Sequence, residues 1–127
     1  VRAVLVFLQA RQPCRVVQGV AASRLVLDPG IGFGKTVLQN FELLARQSVL
    51  MGAGRPVMAA WSRKSSLGAV LAQDGLVPSP SERLSVSVAA ALMAVERGAR
   101  LVRVHDVKAT VDALRVWQAV QSAAAPN

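Results

Sequence analysis

The chain has 127 residues, 53% of them hydrophobic and 17% charged, which is the composition of one ordinary globular domain rather than of a disordered segment. It holds no run of ~20 apolar residues to span a membrane, and its start lacks the basic segment, apolar segment and cleavage site of a secretory leader. The formal net charge of +8 comes from scattered Lys and Arg, with 4% aromatics and no Tyr, so the charge favours small anionic ligands over a base-stacking nucleic-acid platform.

Val4, Phe7 and Leu8 lie at helical spacing, and Pro13 is expected to interrupt or end that first helix. Cys14 is the only cysteine. It excludes an internal disulfide or a cysteine metal cluster, and an ordinary thiol agrees with a reducing, cytoplasmic setting. Leu25-Val26-Leu27 reads as a short buried strand, closed by Asp28-Pro29-Gly30. Val37, Leu38, Phe41, Leu44 and Ala45 form a helical stripe that ends at Gly52 and Gly54. Pro56 to Ala60 is the second apolar strand, stopping at Trp61-Ser62-Arg63-Lys64, with a short helical stretch after it.

A polar loop with Pro78 and Pro80 leads to Ser81, expected to cap the next helix, with Glu82 near its positive end. Leu84, Val88, Ala91, Leu92 and Val95 form that helix's stripe, and Gly98 stops it. Leu101 to Val104 is the third strand, ending at His105-Asp106. Leu114, Trp117 and Val120 mark the last helix, and the Ala-rich tail to Asn127 is expected to fray. Helices thus alternate with strands whose apolar runs are continuous. That pattern argues for an α/β fold with a parallel sheet covered by helices.

Polar groups gather where the three strands end: Asp28 and Lys35, then Ser62 to Ser65, then Arg103, His105 and Asp106. In α/β proteins this edge is where ligands bind. Two acids and several cations there suit a ligand with a hydrogen-bonding ring and negative charge. Each residue also has a plainer reading. Asp28 could start a turn, Lys35 could be a solvated lysine at a helix end, and His105 could be structural. Trp61 reads as packing. His105 has no second His or Cys cluster with which to hold a metal. The loop "LDPGIGFGKT" is not a nucleotide P-loop, because that pattern needs Gly at position 29, where Pro29 stands.

The segments "LDPGIGFGKT", "SRKSSLG", "SERLSVSVAAAL" and "RVHDV" resemble dihydropteroate synthases in order and spacing, from about Phe7 to about Val120. The resemblance implies a (β/α)8 TIM barrel, a fold of ~250 residues. Of that barrel this chain would hold only the last three strands and their helices. Residues 1–127 would then be the C-terminal portion of a single pterin-binding barrel domain. The implied reaction joins para-aminobenzoate to 6-hydroxymethyl-7,8-dihydropterin diphosphate and releases diphosphate. Sulfonamides are the implied inhibitors and a homodimer the implied assembly. Mg2+ is the implied cofactor, with no ligand in this chain and its holders largely in the missing N-terminal part.

By the same resemblance, Asp28, Lys64 and Arg103 bind the pterin. Phe33, Lys64 and Ser65 border the para-aminobenzoate. Arg103 and His105 hold the diphosphate, and Lys64, Arg103 and His105 carry the catalysis. The glycines would let the loop fold beside a bound ring. The chain departs from the family at Pro13, Ala60 and Trp61, where the last two place bulk beside the lysine. Without the other strands the chain is expected to be inactive alone. A non-catalytic fragment or a related pterin-binding methyltransferase-type domain remains the alternative.

Overall fold

A computed structural model describes residues 1–124. The expected fraying of the tail falls in part at residues 125–127, outside those described. The elements run α1 (Arg2–Val17), α2 (Val37–Ala45), β1 (Val57–Ala59), α3 (Ser65–Leu71), α4 (Leu84–Glu96), β2 (Ala99–Val102) and α5 (Val107–Ala124). Single 3-10 turns stand at Ala22–Arg24 and Pro80–Glu82, and a longer 3-10 helix at Gln47–Ala53. β1 and β2 pair in parallel, with Met58 opposite Leu101 and Ala59 opposite Val102. The architecture is the α/β one expected, with parallel strands linked by helices, as in part of a (β/α)8 barrel.

The first expected strand is reduced to a single parallel bridge, Leu27 to Val57. Leu27 donates its N–H to the Pro56 carbonyl (2.9 Å) and accepts from the Met58 N–H (2.8 Å). Among the described residues nothing pairs with its other side, so the ladder does not propagate into a strand. The third strand begins at Ala99 and ends at Val102, two residues earlier than expected. Gly98, with φ +92, turns α4 directly into it. Arg103 still bonds the Ala59 carbonyl through its N–H (2.9 Å) before the chain bends toward His105.

Pro13 neither ends nor breaks α1, which runs on to Val17. The missing proline N–H leaves the Gln9 carbonyl without its usual donor. The helix is instead held from outside: Gln9 and Gln12 donate their side-chain amides to the Gly52 and Ala53 carbonyls. Its inner face is Val1, Val4, Leu5 and Leu8; Phe7 lies off that stripe and is exposed beneath the Arg11 guanidinium.

α2 starts at a capping box in which Thr36 accepts from Gln39 N–H and Gln39 reaches back to Thr36 N–H. Its buried face is Asn40, Leu43 and Leu44, whereas the expected Val37 and Leu38 are exposed. A similar shift occurs in α4, which buries Ser87, Ala90, Ala91 and Ala94. That helix is apolar almost all round, so periodicity could not choose its face. Packing chose the small side chains, which admit β2 at close range. Ser81 does not cap α4. Ser79 and Glu82 form a capping box on the 3-10 turn, with Pro80 at its first position, and Arg83 precedes α4. In α5, Leu114 and Trp117 are half-buried, Val120 is exposed, and Thr110 is the buried side chain.

The core joins α1, α2, α4 and the sheet through Leu8, Leu27, Leu43, Leu50, Val57 and Ala94. Trp61 belongs to it, 1% exposed, with its ring stacked on Phe41 at 5.6 Å. Its bulk therefore points inward, away from the lysine that follows, and only Ala60 faces the cleft described next.

Candidate functional site

The C-terminal ends of β1 and β2 open into a cleft of about 420 Å³, lined by Ala60, Ser62, Lys64, Arg103, Val104 and His105. Three residues with N–H donors on long or aromatic side chains thus share one cavity, as their place at successive strand ends foretold. No carboxylate lines this cleft among the described residues. In such a setting an anion meets donors without like-charge repulsion.

Ser62 organises the His105 side of the cleft. Its Oγ accepts the His105 backbone N–H (3.1 Å) and lies 2.9 Å from His105 Nδ1. With a backbone donor already on Oγ, the hydroxyl can donate to Nδ1, or use its second lone pair to accept Nδ1–H, according to the tautomer.

Lys64 leads from this cleft to the glycine loop. Its ammonium stands 4.4 Å from the centre of the Phe33 ring, a cation–π distance. Its stem lies against Gly32, where φ is +80 and an added Cβ would come within 3.1 Å of Lys64 Cδ. A side chain at 32 would therefore be strained, and the lysine stem would have to give by a few tenths of an ångström. Phe33 itself is 67% exposed. Ser65 occupies the first position of α3 and is exposed.

Asp28 lies elsewhere. It lines a separate cleft of about 350 Å³ with Lys35 and with Ala3, Val4, Phe7 and Leu8 of α1. Its Oδ1 accepts the Gly30 N–H at 2.8 Å, an Asx turn. So the turn-starting reading of Asp28 holds, and its carboxylate keeps further acceptor capacity. Lys35 is no solvated helix-end lysine. Its ammonium donates to the Gly30 carbonyl (2.7 Å) and the Phe33 carbonyl (3.0 Å), stapling the loop to itself.

Two supporting sets of contacts escaped the sequence reading. Asn40, buried in α2, accepts the Gly32 N–H (3.0 Å) and donates to the buried Ser66 Oγ (3.0 Å). It ties the Phe33 loop to the start of α3, beside Lys64 and Ser65. The other set centres on Asp106, which is not a free acid of the site. Both its oxygens are taken by Arg63, Nη2 at 2.8 Å and Nε at 3.2 Å. The hydrogen bond from Arg63 holds the Asp106 carboxyl below the ordinary carboxylate range, against a smaller opposing effect of burial.

The family described as "Pterin binding enzyme" matches residues 1–105. Dihydropteroate synthase of Haemophilus influenzae is 44% identical over 123 residues, covering 97% of this chain and 43% of that protein. The structure of dihydropteroate synthase from Xanthomonas albilineans in complex with 7,8-dihydropteroate superposes with a TM-score of 0.90 at 48% identity. That superposition covers 99% of this chain and 46% of the other, and the same enzyme is known with 4-aminobenzoic acid. The Yersinia pestis enzyme in complex with a sulfonamide drug superposes with a TM-score of 0.86 at 39% identity, over 96% of this chain and 43% of that one. The chain spans less than half the length of each of these relatives.

Proposed function

The chain belongs to the family of pterin-binding enzymes, and on that premise we propose that it is the C-terminal portion of a dihydropteroate synthase domain of folate biosynthesis. The observation that carries this reading is the carboxylate-free cleft that holds Lys64, Arg103 and His105 at two adjoining strand ends. Its relatives' complexes with dihydropteroate, 4-aminobenzoic acid and a sulfonamide support the same substrates and inhibitor class for this site.

The chemistry follows from the residue types. The aryl amine of para-aminobenzoate attacks the exocyclic methylene of the pterin. The methylene C–O bond breaks, diphosphate leaves with the electron pair, and the amine loses a proton as the C–N bond forms. Arg103 and His105 take up the charge that grows on the diphosphate, the kind of electrostatic stabilisation that fixed donors supply. Lys64 serves both halves of the reaction, as ring donor to the pterin and, with Phe33 and Ser65, as border of the aminobenzoate pocket. Arg103 offers its plane to the pterin face. Asp28 accepts the paired N–H groups of the ring edge once the missing strands bring the pterin between its cleft and that of Lys64.

Among the described residues no three His, Cys, Asp or Glu side chains cluster, and Asp106 is committed to Arg63. We assign Mg2+ to the diphosphate oxygens and to groups outside this chain. No helix among the described residues is long and apolar enough to cross a membrane, and the lone thiol of Cys14 suits a cytoplasmic setting. α5 leaves Val107 and Val111 exposed on one side and Val116 and Val120 on the opposite side, apolar spots that a homodimer contact could cover.

The test is a coupling assay with pterin diphosphate, para-aminobenzoate and Mg2+. It compares the 127-residue chain with the same chain grafted onto the N-terminal half of the Xanthomonas albilineans enzyme. Dihydropteroate from the graft alone is expected, with a large loss in Lys64→Ala and Arg103→Ala. A folded graft that makes no product defeats the reading. Product from the short chain defeats the claim that its site is incomplete.

A further inference from the structure

Lys64 and His105 reach the cleft from different loops, and each has a chain neighbour that turns away from it. Arg63 precedes Lys64, Asp106 follows His105, and these two neighbours close on each other through both carboxylate oxygens. A bidentate pair fixes an angle as well as a distance.

The arginine half of the pair is braced on its backbone too. Arg63 sits at φ +60, a left-handed conformation that a non-glycine residue keeps only when its surroundings hold it there. Its N–H donates to Ser87 Oγ (2.9 Å), and its carbonyl accepts from Arg83 Nη1 (3.0 Å). Arg83 is anchored in turn, with Nε and Nη2 on the Pro78 carbonyl at 3.0 and 2.6 Å. Its guanidinium fills the space beside Gly68, where a Cβ would lie 2.7 Å from it. The turn that carries Lys64 is thus locked to α4, and the ion pair carries that lock across to the loop after β2.

We propose that Arg63 and Asp106 are positioning residues whose bidentate pair sets the spacing between Lys64 and the Arg103–His105 segment, and with it the affinity of the cleft for a diphosphate group. The identity of the anion rests on the reading given under Proposed function.

Charge alone and position predict opposite signs here, which makes the proposal testable. Removing the Asp106 charge beside a cationic cleft would tighten anion binding if only electrostatics mattered. Losing the brace would weaken it. Inorganic diphosphate is titrated calorimetrically into the grafted protein and its variants, with thermal melts alongside to confirm folding. Asp106→Asn is expected to weaken binding about tenfold, the size of coupling seen between contacting groups. Arg63→Lys keeps the charge but not the fork, and is expected to weaken binding similarly. The swap of Arg63→Asp with Asp106→Arg recovers part of the loss. Asp112→Asn, on the exposed side of α5, changes nothing. Tighter or unchanged binding in Asp106→Asn, or full affinity in Arg63→Lys, overturns the proposal. So does a wild-type graft that binds no diphosphate. A graft that binds diphosphate with this dependence but forms no dihydropteroate defeats the enzymatic reading and leaves the positioning role standing.

Discussion

Replacing Asn40 with alanine removes two bonds that no other side chain can replace. The Gly32 N–H loses its acceptor and Ser66 Oγ loses its donor, both at 3.0 Å. A buried polar group left without a partner costs ~1–3 kcal/mol. Gly32 lies on an exposed loop, so water reaches its N–H and its cost falls at the low end. Ser66 is 1% exposed and pays closer to the full amount. The sum is ~2–4 kcal/mol, a large part of the ~5–15 kcal/mol that holds an ordinary domain together.

Ser66→Ala breaks only the second bond but leaves the buried Asn40 Nδ2 without its acceptor, and should cost ~1–3 kcal/mol. The double variant should be little worse than Asn40→Ala, because the shared bond can be lost only once. Urea unfolding of the grafted protein and its three variants measures this directly, provided the denaturant slope is unchanged. A loss below ~0.5 kcal/mol in Asn40→Ala, or full additivity in the double variant, would refute the bridge as a buried, coupled unit.

Other outcomes follow from the same geometry. Because Arg63 depresses the Asp106 pKa in the folded state, the pair's stabilisation is present above the unfolded value of ~3.9 and is lost as pH falls through the lower folded value. Thermal melts of wild type and Asp106→Asn should therefore converge only at pH below the ordinary carboxylate range, and a gap that stays constant from neutral pH into acid would contradict the assignment. Gly98→Ala forces a side chain into φ +92 and onto Met51 Sδ at 2.9 Å. It should destabilise by ~1–3 kcal/mol, with much of that persisting when Met51→Ala removes the collision. Leu101→Lys charges an exposed edge of the sheet, where Leu101 is 45% exposed. Sedimentation of the 127-residue chain should then show less self-association, and unchanged association would exonerate that edge.

The sequence showed most of what local pattern can encode. The strand before Trp61 and the stop at Gly98 stand where residue spacing put them; the helix after the glycine loop begins at Val37 as expected but ends at Ala45, and a 3-10 helix, Gln47–Ala53, fills the stretch expected to run on to Gly52. The cleft of Lys64, Arg103 and His105 was also legible, because strand ends bring their polar residues to one edge. What stayed hidden depends on partners far away in the chain. Arg63 finds Asp106, and Ser62 finds His105, each across 43 positions. Asn40 stands in an amphipathic helix where hydrophobic spacing has no reason to select a polar side chain, yet it is among the most buried residues. Pro13 misled for a related reason. Its local rule is sound, but side chains of Gln9 and Gln12 anchored on the 3-10 helix at Gln47–Ala53 hold the helix straight through it.

The parallel direction of the three extended segments, 25–27, 57–59 and 99–102, limits what copies of this chain can build together. Two copies related by a two-fold axis present the same edge to each other, and that pairing runs antiparallel. Continuing the parallel ladder instead requires the free side of β2 to meet the free side of Leu27 in the next copy, a head-to-tail contact. Whole copies then add two strands and one bridged segment at a time, three ladder positions in all, and no multiple of three is eight. Copies of this segment alone therefore never close the eight-stranded ring; they end in a ring of another size or in an open polymer. Closure at eight needs a complementary piece that is not a copy, so completing this site is a matter of stoichiometry before it is one of affinity.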